Sequence, residues 1–182
     1  MPEACQKAGE MAWYVAIVNN RAERKYAQLL SEKGYETYVP VQKDPARGRS
    51  TRKGVVERVL IATIVFVRCA ERERILLLKL PYVKHFMVDR TKKDRYGRHP
   101  VATIPHRQIE AFRMCVERME EPAEVAPVPY RLGDRVRVVD GKFAGLEGHV
   151  VQHAEGESHL VVCLGTLGCL KLNISLNLVT RI

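Results

Sequence analysis

One stretch, Gly133 to Val151 (GDRVRVVDGKFAGLEGHVV), limits the fold more than any other. Val136 and Val138 alternate with Arg135 and Arg137, the period-two pattern of a half-buried strand. Asp140-Gly141 then marks a tight turn, because glycine takes a positive φ at no steric cost. Gly145 and Gly148 bracket Leu146 and Glu147, and a second apolar run begins at His149-Val150-Val151. The reading is strand, glycine-rich loop, strand, with Phe143 at the loop tip.

The sequence around this hairpin divides in two. Residues 119–131 (MEEPAEVAPVPYR) hold Pro122, Pro127 and Pro129, which should keep them extended and outside either neighbour's helix or sheet. Beyond them, short apolar runs at 159–164, 168–172 and 176–181 are separated by Gly156, Gly165, Gly168, Asn173 and Asn177. With the opening hairpin they suit a small SH3-like barrel. The expected boundaries are a disordered 1–11, an N-terminal domain over 12–120, a proline-rich linker over 121–130 and a C-terminal domain over 131–182.

The N-terminal part alternates strand and helix signals. Ala12 to Val18 (AWYVAIV) is a buried-strand run, and Asn19-Asn20 follow as turn or helix-cap candidates. Arg21 to Lys33 reads as a helix with Ala22, Tyr26, Leu29 and Leu30 on one face, stopped by Gly34. Tyr35 to Val41 returns as a strand. Val55 to Val67 (VVERVLIATIVFV) is rich in β-branched residues and predicts two antiparallel strands or one long bent one. A second helix over Glu71–Leu80 ends at Pro81, and Val83 to Asp89 is a fourth strand. A third helix starts at Ile104-Pro105, with Ile109, Phe112, Cys115 or Val116, and Met119 as its buried stripe. The order β-α-β-β-α-β-α implies a ferredoxin-like antiparallel sheet with helices on one face, so the class is α+β.

Charge says where partners would bind. The 182 residues carry a net charge of +9. Residues 1–127 hold 24 Lys/Arg against 16 Asp/Glu, whereas residues 128–182 hold 6 against 5, so the positive field belongs to the N-terminal part. Such a field favours polyanions such as nucleic acid. It concentrates in Arg21, Arg24 and Lys25, in a loop with Lys43, Arg47, Arg49, Arg52 and Lys53, and in a second loop with Arg90, Lys92, Lys93, Arg95 and Arg98. Contact with phosphate by charge and counterion release is the chemistry expected of them.

Other classes are poorly supported. There is no GxxxxGK, HExxH or GxSxG pattern and no carboxylate pair in the apolar strands, so an enzyme is not expected and no cofactor is implied. No run of 18 apolar residues suggests a membrane helix, and residues 1–14 lack a secretory pattern, so the chain reads as cytoplasmic. The five cysteines form no CxxC pair. Cys163 and Cys169 lie near His149, His153 and His159 in sequence, but not at zinc-finger spacing, so reduced, partly buried thiols and no metal are expected.

The hairpin resembles the KOW motif of NusG-type transcription elongation factors and some ribosomal proteins, through Gly133-Asp134, Val136, Val138, Asp140-Gly141, Phe143-Ala144-Gly145 and Gly148; Lys142 departs from the proline often found there. An N-terminal domain opening on Trp13-Tyr14-Val15, a basic loop, a strand ending Ile64-Val65-Phe66-Val67 and a C-terminal KOW stretch resemble NusG over residues 12–182. Within that family VVERVLIATIVFVR, LPYVKHFMVDR and SHLVVCLGTLGCL are most similar to the specialised paralogues of capsular-polysaccharide loci, RfaH-like in role.

That resemblance implies an antiterminating elongation factor, acting as a monomer. Ile17, Ile61 and Ile64 would meet the clamp helices of the largest RNA polymerase subunit, and the basic residues would touch upstream or non-template DNA. The KOW barrel would recruit a ribosomal protein or a termination factor. Family members often carry Pro-Gly or Pro-Asn before the last apolar patch residue, where this chain has Ala62-Thr63. The three isoleucines could equally be ordinary core, and a KOW-type RNA-binding or ribosome-associated protein is the alternative function. RfaH-type members can mask the clamp patch with an all-helical C-terminal domain. The recurring glycines and the valines at 136, 138, 139, 150, 151, 161 and 162 predict a β-domain here.

Overall fold

The computed structural model describes residues 10–44, 56–119, 125–126, 133–141, 143–152, 158–163, 167, 169–172 and 179–182. The chain falls into two compact units: one takes in Ala62–Ile104 and the chain up to Val39, the other Pro40–Ile61 and Pro105–Ile182. No helix among the described residues is long and apolar enough to cross a membrane.

The first unit is built on strand β1 (Ala12–Ile17), buried along its middle four residues. It pairs antiparallel with β5 (Ile64–Cys69) over its whole length, from Ala12 opposite Cys69 to Ile17 opposite Ile64. Its other edge is taken by β6 (His85–Phe86) at Ala16 and Ile17, and by β7 (Thr103–Ile104) at Trp13 and Tyr14. Strand β2 (Glu36–Tyr38) closes the far side of β5, giving the order β2-β5-β1-β6. Two crossovers, through α1 (Glu23–Glu32) and α2 (Glu71–Leu77), each skip one strand. This is the split β-α-β arrangement expected of a ferredoxin-like sheet.

One face of this sheet carries Tyr14, Ala16 and Val18 from and just beyond β1 and Val65, Val67 and Cys69 from β5. It packs with Leu30 of α1, Leu77 of α2, Val83 and Phe86. The helix ends follow the local sequence. Gly34 adopts φ 90°, Gly34 N–H donates to Ser31 O, and Tyr35 N–H donates to Leu30 O, a Schellman stop for α1. At α2, Glu73 reaches back to accept from the Ala70 N–H at 2.7 Å. Arg74 on the same helix is only 8% exposed. Its guanidinium pairs with Glu71 and lies 5.8 Å from the Tyr14 ring centre and 5.4 Å from that of Phe86. A buried cation persists only with such partners. Burial, then Glu71, pushes the Tyr14 hydroxyl up to about 12.

Several elements differ from the sequence reading. The run Val55–Val67 does give two strands, but they do not pair with each other. Strand β4 (Val56–Val59) pairs instead with β3 (Val41–Asp44) as a separate hairpin, while β5 enters the main sheet. The predicted fourth strand over 83–89 shrinks to His85–Phe86 plus a bridge from Val88 to Val101, because its ladder with β1 is confined to Ala16 and Ile17. Helix α2 stops at Leu77, short of Pro81.

In the second unit, α3 (His106–Arg118) buries Ile109, Phe112, Cys115 and Val116, with Pro105 just ahead of its first residue. The remaining strands are β8 (Val125–Ala126), β9 (Arg135–Val138), β10 (Glu147–Gln152), β11 (Ser158–Cys163), β12 (Cys169–Leu172) and β13 (Val179–Arg181). They form one antiparallel six-stranded sheet in the order β13-β9-β10-β11-β12-β8. Two corrections follow. Val125 and Ala126 join a sheet despite the flanking prolines, since proline blocks only its own N–H. Cys163 and Cys169 are register partners on β11 and β12 and form a disulfide, where spacing alone suggested free thiols; antiparallel pairing sets their Cα atoms 4.0 Å apart.

The bridge closes a short loop, and removing it with Cys163→Ser and Cys169→Ser together should lower the stability of this unit by about 2 kcal/mol. Calorimetric unfolding with and without the pair tests this, and an unshifted transition would deny the bridge any role in stability.

Candidate functional site

The corner where β1 ends and β5 begins is fastened by one carboxylate. Glu23, the first residue of α1, is only 3% exposed. It accepts a hydrogen bond from the Thr63 N–H at 2.6 Å and one from the Arg21 N–H at 3.3 Å. Val18 N–H donates to Thr63 O at 2.8 Å, so residues 18–23 and the turn before β5 are tied together. Both hydrogen-bonded residues have left-handed backbone, Arg21 at φ 63° and Thr63 at φ 65°. For a β-branched residue this conformation is a genuine outlier costing roughly 1–2 kcal/mol. A charge-assisted bond from a buried carboxylate at a helix N-terminus offsets it. The position asks for a residue at ease with positive φ, which glycine or asparagine would be; here threonine stands there and Glu23 holds it.

This corner sets two of the three apolar candidates, Ile17 and Ile64. Ile17 and Ile64 are register partners at the ends of their strands. Ile17 is half-buried, while Ile64 is only 5% exposed. Ile61 is half-buried and Ala62 exposed, on the chain just ahead of Thr63.

The basic candidates are less gathered than their sequence suggests. Arg21, Arg24 and Lys25 are exposed at the start of α1. Lys43 is exposed on β3, opposite Glu57 in the β3–β4 hairpin. Arg47, Arg49, Arg52 and Lys53 lie outside the described residues.

The hairpin over 133–152 takes the form its glycines require. Gly133 N–H donates to Val150 O, and a Cβ at Gly133 would sit 2.4 Å from that oxygen. At Gly148 a Cβ would sit 2.7 Å from Val161 O. Both positions exclude side chains because neighbouring backbone passes too close. Asp140 Oδ1 accepts from the Gly141 N–H, and Gly141 and Gly145 both have positive φ. Asp134 O accepts from the Val150 N–H. Val136 and Val138 point into the core as the alternation predicts. Phe143, expected at a loop tip, is buried with Leu146, so it supports the hairpin rather than presenting a ring to a partner.

Glu147 was not singled out by sequence, although it lies opposite Arg137 in the ladder. It accepts from Arg135 at 2.7 Å and from Arg137, and these guanidiniums, Arg137 first, hold its carboxyl below the usual range. Glu23 was missed too; its signal was an acid in the first turn of a helix whose other early residues are basic.

A split β-α-β sheet with helices, together with a separate all-β sheet carrying a glycine-rich hairpin, is the architecture of a class of transcription elongation factors. The family described as Transcription termination factor nusG matches residues 11–113, and the chain belongs to it. Its members are transcription factors that bind RNA polymerase. Among solved structures, the chain is similar to Thermotoga maritima NusG ("Domain interaction in Thermotoga maritima NusG"). That match has 15% identity and a TM-score of 0.46, covering 95% of this chain and 98% of that one. It is also similar to a chain of the MjSpt4:Spt5 complex, at 12% identity and a TM-score of 0.31, covering 93% and 97%. Comparison with curated protein sequences gives no match.

Two outcomes are expected. Glu23→Ala leaves the part-buried Thr63 N–H without this partner and should cost about 1–3 kcal/mol; adding Thr63→Gly should recover about 1 kcal/mol of that. Urea unfolding of the two variants and the double variant reads both values. Neutralising Arg21, Arg24, Lys25 and Lys43 should lower the salt dependence of DNA binding by roughly 0.9 in log–log slope for each phosphate no longer neutralised. A slope unchanged by all four would remove them from the interface.

Proposed function

We propose that the protein is a processive elongation factor that stays on RNA polymerase and suppresses termination, on an operon of the capsular-polysaccharide type. Ile17 and Ile61 dock on the clamp helices of the largest polymerase subunit, and Ile64, expected beside them, serves as the buried ladder partner of Ile17. Arg21, Arg24, Lys25, Lys43 and the loop with Arg47, Arg49, Arg52 and Lys53 run along upstream or non-template DNA. In this reading the first unit docks on polymerase, and the sheet of β8–β13 recruits a ribosomal protein or a termination factor.

The observation that carries the reading is the corner fixed by Glu23. It commits a buried carboxylate and a strained threonine to holding the turn that leads into Ile64. Strain kept at one turn is a common mark of a working surface. Family membership supplies the polymerase.

Ile64 is the wrong residue for a first test, because a charge placed at a buried position would unfold the sheet as readily as it would block a partner. Ile17→Asp and Ile61→Asp are better placed. Each should weaken polymerase binding by about 2–4 kcal/mol while the protein still melts as a folded chain. Wild-type affinity in both folded variants would move the docking surface elsewhere. If the tagged protein copurifies with ribosomes and not with polymerase, the RNA-binding or ribosome-associated reading takes its place.

A further inference from the structure

The segment between the Val88–Val101 bridge is strongly basic and closely organised. Asp89 N–H donates to Pro100 O at 2.8 Å, closing its base. Asp89 Oδ1 accepts from the Thr91 N–H and hydroxyl at 3.0 and 2.6 Å. Asp94 Oδ1 accepts from the N–H groups of Tyr96 and Arg98 at 2.8 and 2.9 Å, and Asp94 N–H donates to Arg98 O. His99 Nδ1 lies 2.7 Å from Lys92 O and donates to it, since a carbonyl can only accept. Gly97, at φ 76°, completes the turn.

Both carboxylates are thus used on the loop's own backbone. The Thr91 hydroxyl at Asp89, and the Arg98 N–H at Asp94, hold the two carboxyls below the usual range. Lys92 pairs with Asp89 and Arg98 with Asp94, leaving Arg90, Lys93 and Arg95 with no carboxylate partner among the described residues.

At the tip of this loop stands Tyr96, 66% exposed. The guanidiniums of Arg95 and Arg98 lie 4.8 and 5.2 Å from its ring centre. An aromatic ring held in water against two guanidiniums offers flat, cationic π-surface. An acidic peptide would be met by outstretched guanidiniums, with no use for the ring, and a duplex keeps its base faces stacked inside. An unpaired base can use both surfaces, stacking on Tyr96 and Arg while its phosphates meet Arg90 and Lys93. We propose that Tyr96, flanked by Arg95 and Arg98, is a stacking platform for an unpaired base of single-stranded nucleic acid. The proposal rests on the reading of the chain as a factor that touches nucleic acid, and adds a second, base-contacting site to the phosphate-contacting residues above.

The test is fluorescence anisotropy with a labelled oligo-dT 12-mer and full-length protein, each variant first shown to melt as wild type does. Tyr96→Ala should weaken binding about 10- to 100-fold, and Tyr96→Phe should keep wild-type affinity, because stacking needs the ring and not the hydroxyl. Tyr96→Ala should leave the salt slope unchanged, whereas Lys93→Gln should lower it by about 0.7. Equal affinity of Tyr96→Ala and wild type, no binding by wild type, or tighter binding to a duplex of the same length would each overturn the platform. Polymerase binding by Tyr96→Ala should be normal. Tyr96-dependent binding to oligo-dT by a protein that does not bind polymerase would sustain the platform while sinking the elongation-factor reading.

Discussion

The ladder between β1 and β5 is the constraint on which the first unit depends. Six consecutive pairs join them, and β1 is hydrogen-bonded on its other edge as well. A strand paired on both sides and buried along its middle cannot slip by one residue without turning its core side chains to the opposite face. That fixed register makes Ile17 meet Ile64 and puts the end of β1 beside the turn carrying Thr63. Glu23 then works on a rigid frame. Its bond to Thr63 can hold a left-handed threonine because β5, which begins at the next residue, is fixed by its pairing with β1.

How much of this was legible follows from what each signal measures. Hydrophobic periodicity reported burial, so β1, β5, the α3 stripe as far as Val116 and the alternation in β9 came through, as did the ferredoxin-like class; Met119, expected in that stripe, lies just past the helix and is half-buried. Glycine reported backbone geometry, so the stop at Gly34 and the hairpin at 133–152 were visible. Pairing was not: nothing in VVERVLIATIVFV says that its halves enter different sheets, because a strand's partner is a long-range choice. The same limit hid the Cys163–Cys169 bridge, since a six-residue spacing becomes a contact only once β11 and β12 are paired.

Polar side chains were the least legible. Glu23 and Arg74 are buried, and composition alone would place both on a solvated helix face. Each is kept inside by partners that sequence could not supply: backbone N–H groups for Glu23, a carboxylate and two aromatic rings for Arg74. The apolar candidates show the converse. Ile17, Ile61 and Ile64 look alike in sequence, yet Ile64 is sealed while the other two keep part of their surface. Strand periodicity assigns a face and says nothing of how far along the strand burial extends.

The net charge of +9 takes on meaning from where the acids are committed. Asp89 and Asp94 turn inward to shape one basic loop, Glu23 is buried at the corner, and Glu147 binds two arginines of the glycine-rich hairpin. In the first unit Asp89 and Asp94 organise backbone and also pair with Lys92 and Arg98, and the surplus cations Arg90, Lys93 and Arg95 keep the loop positive. In the second, Glu147 cancels charge directly, and β9 presents arginines already engaged. A carboxylate carries the same charge whichever donor it accepts from, so the field of each region follows from its surplus of cations over acids. Among the described residues, a polyanion would find Arg90, Lys93 and Arg95 of the first unit without a carboxylate partner, whereas Arg135 and Arg137 of β9 share Glu147.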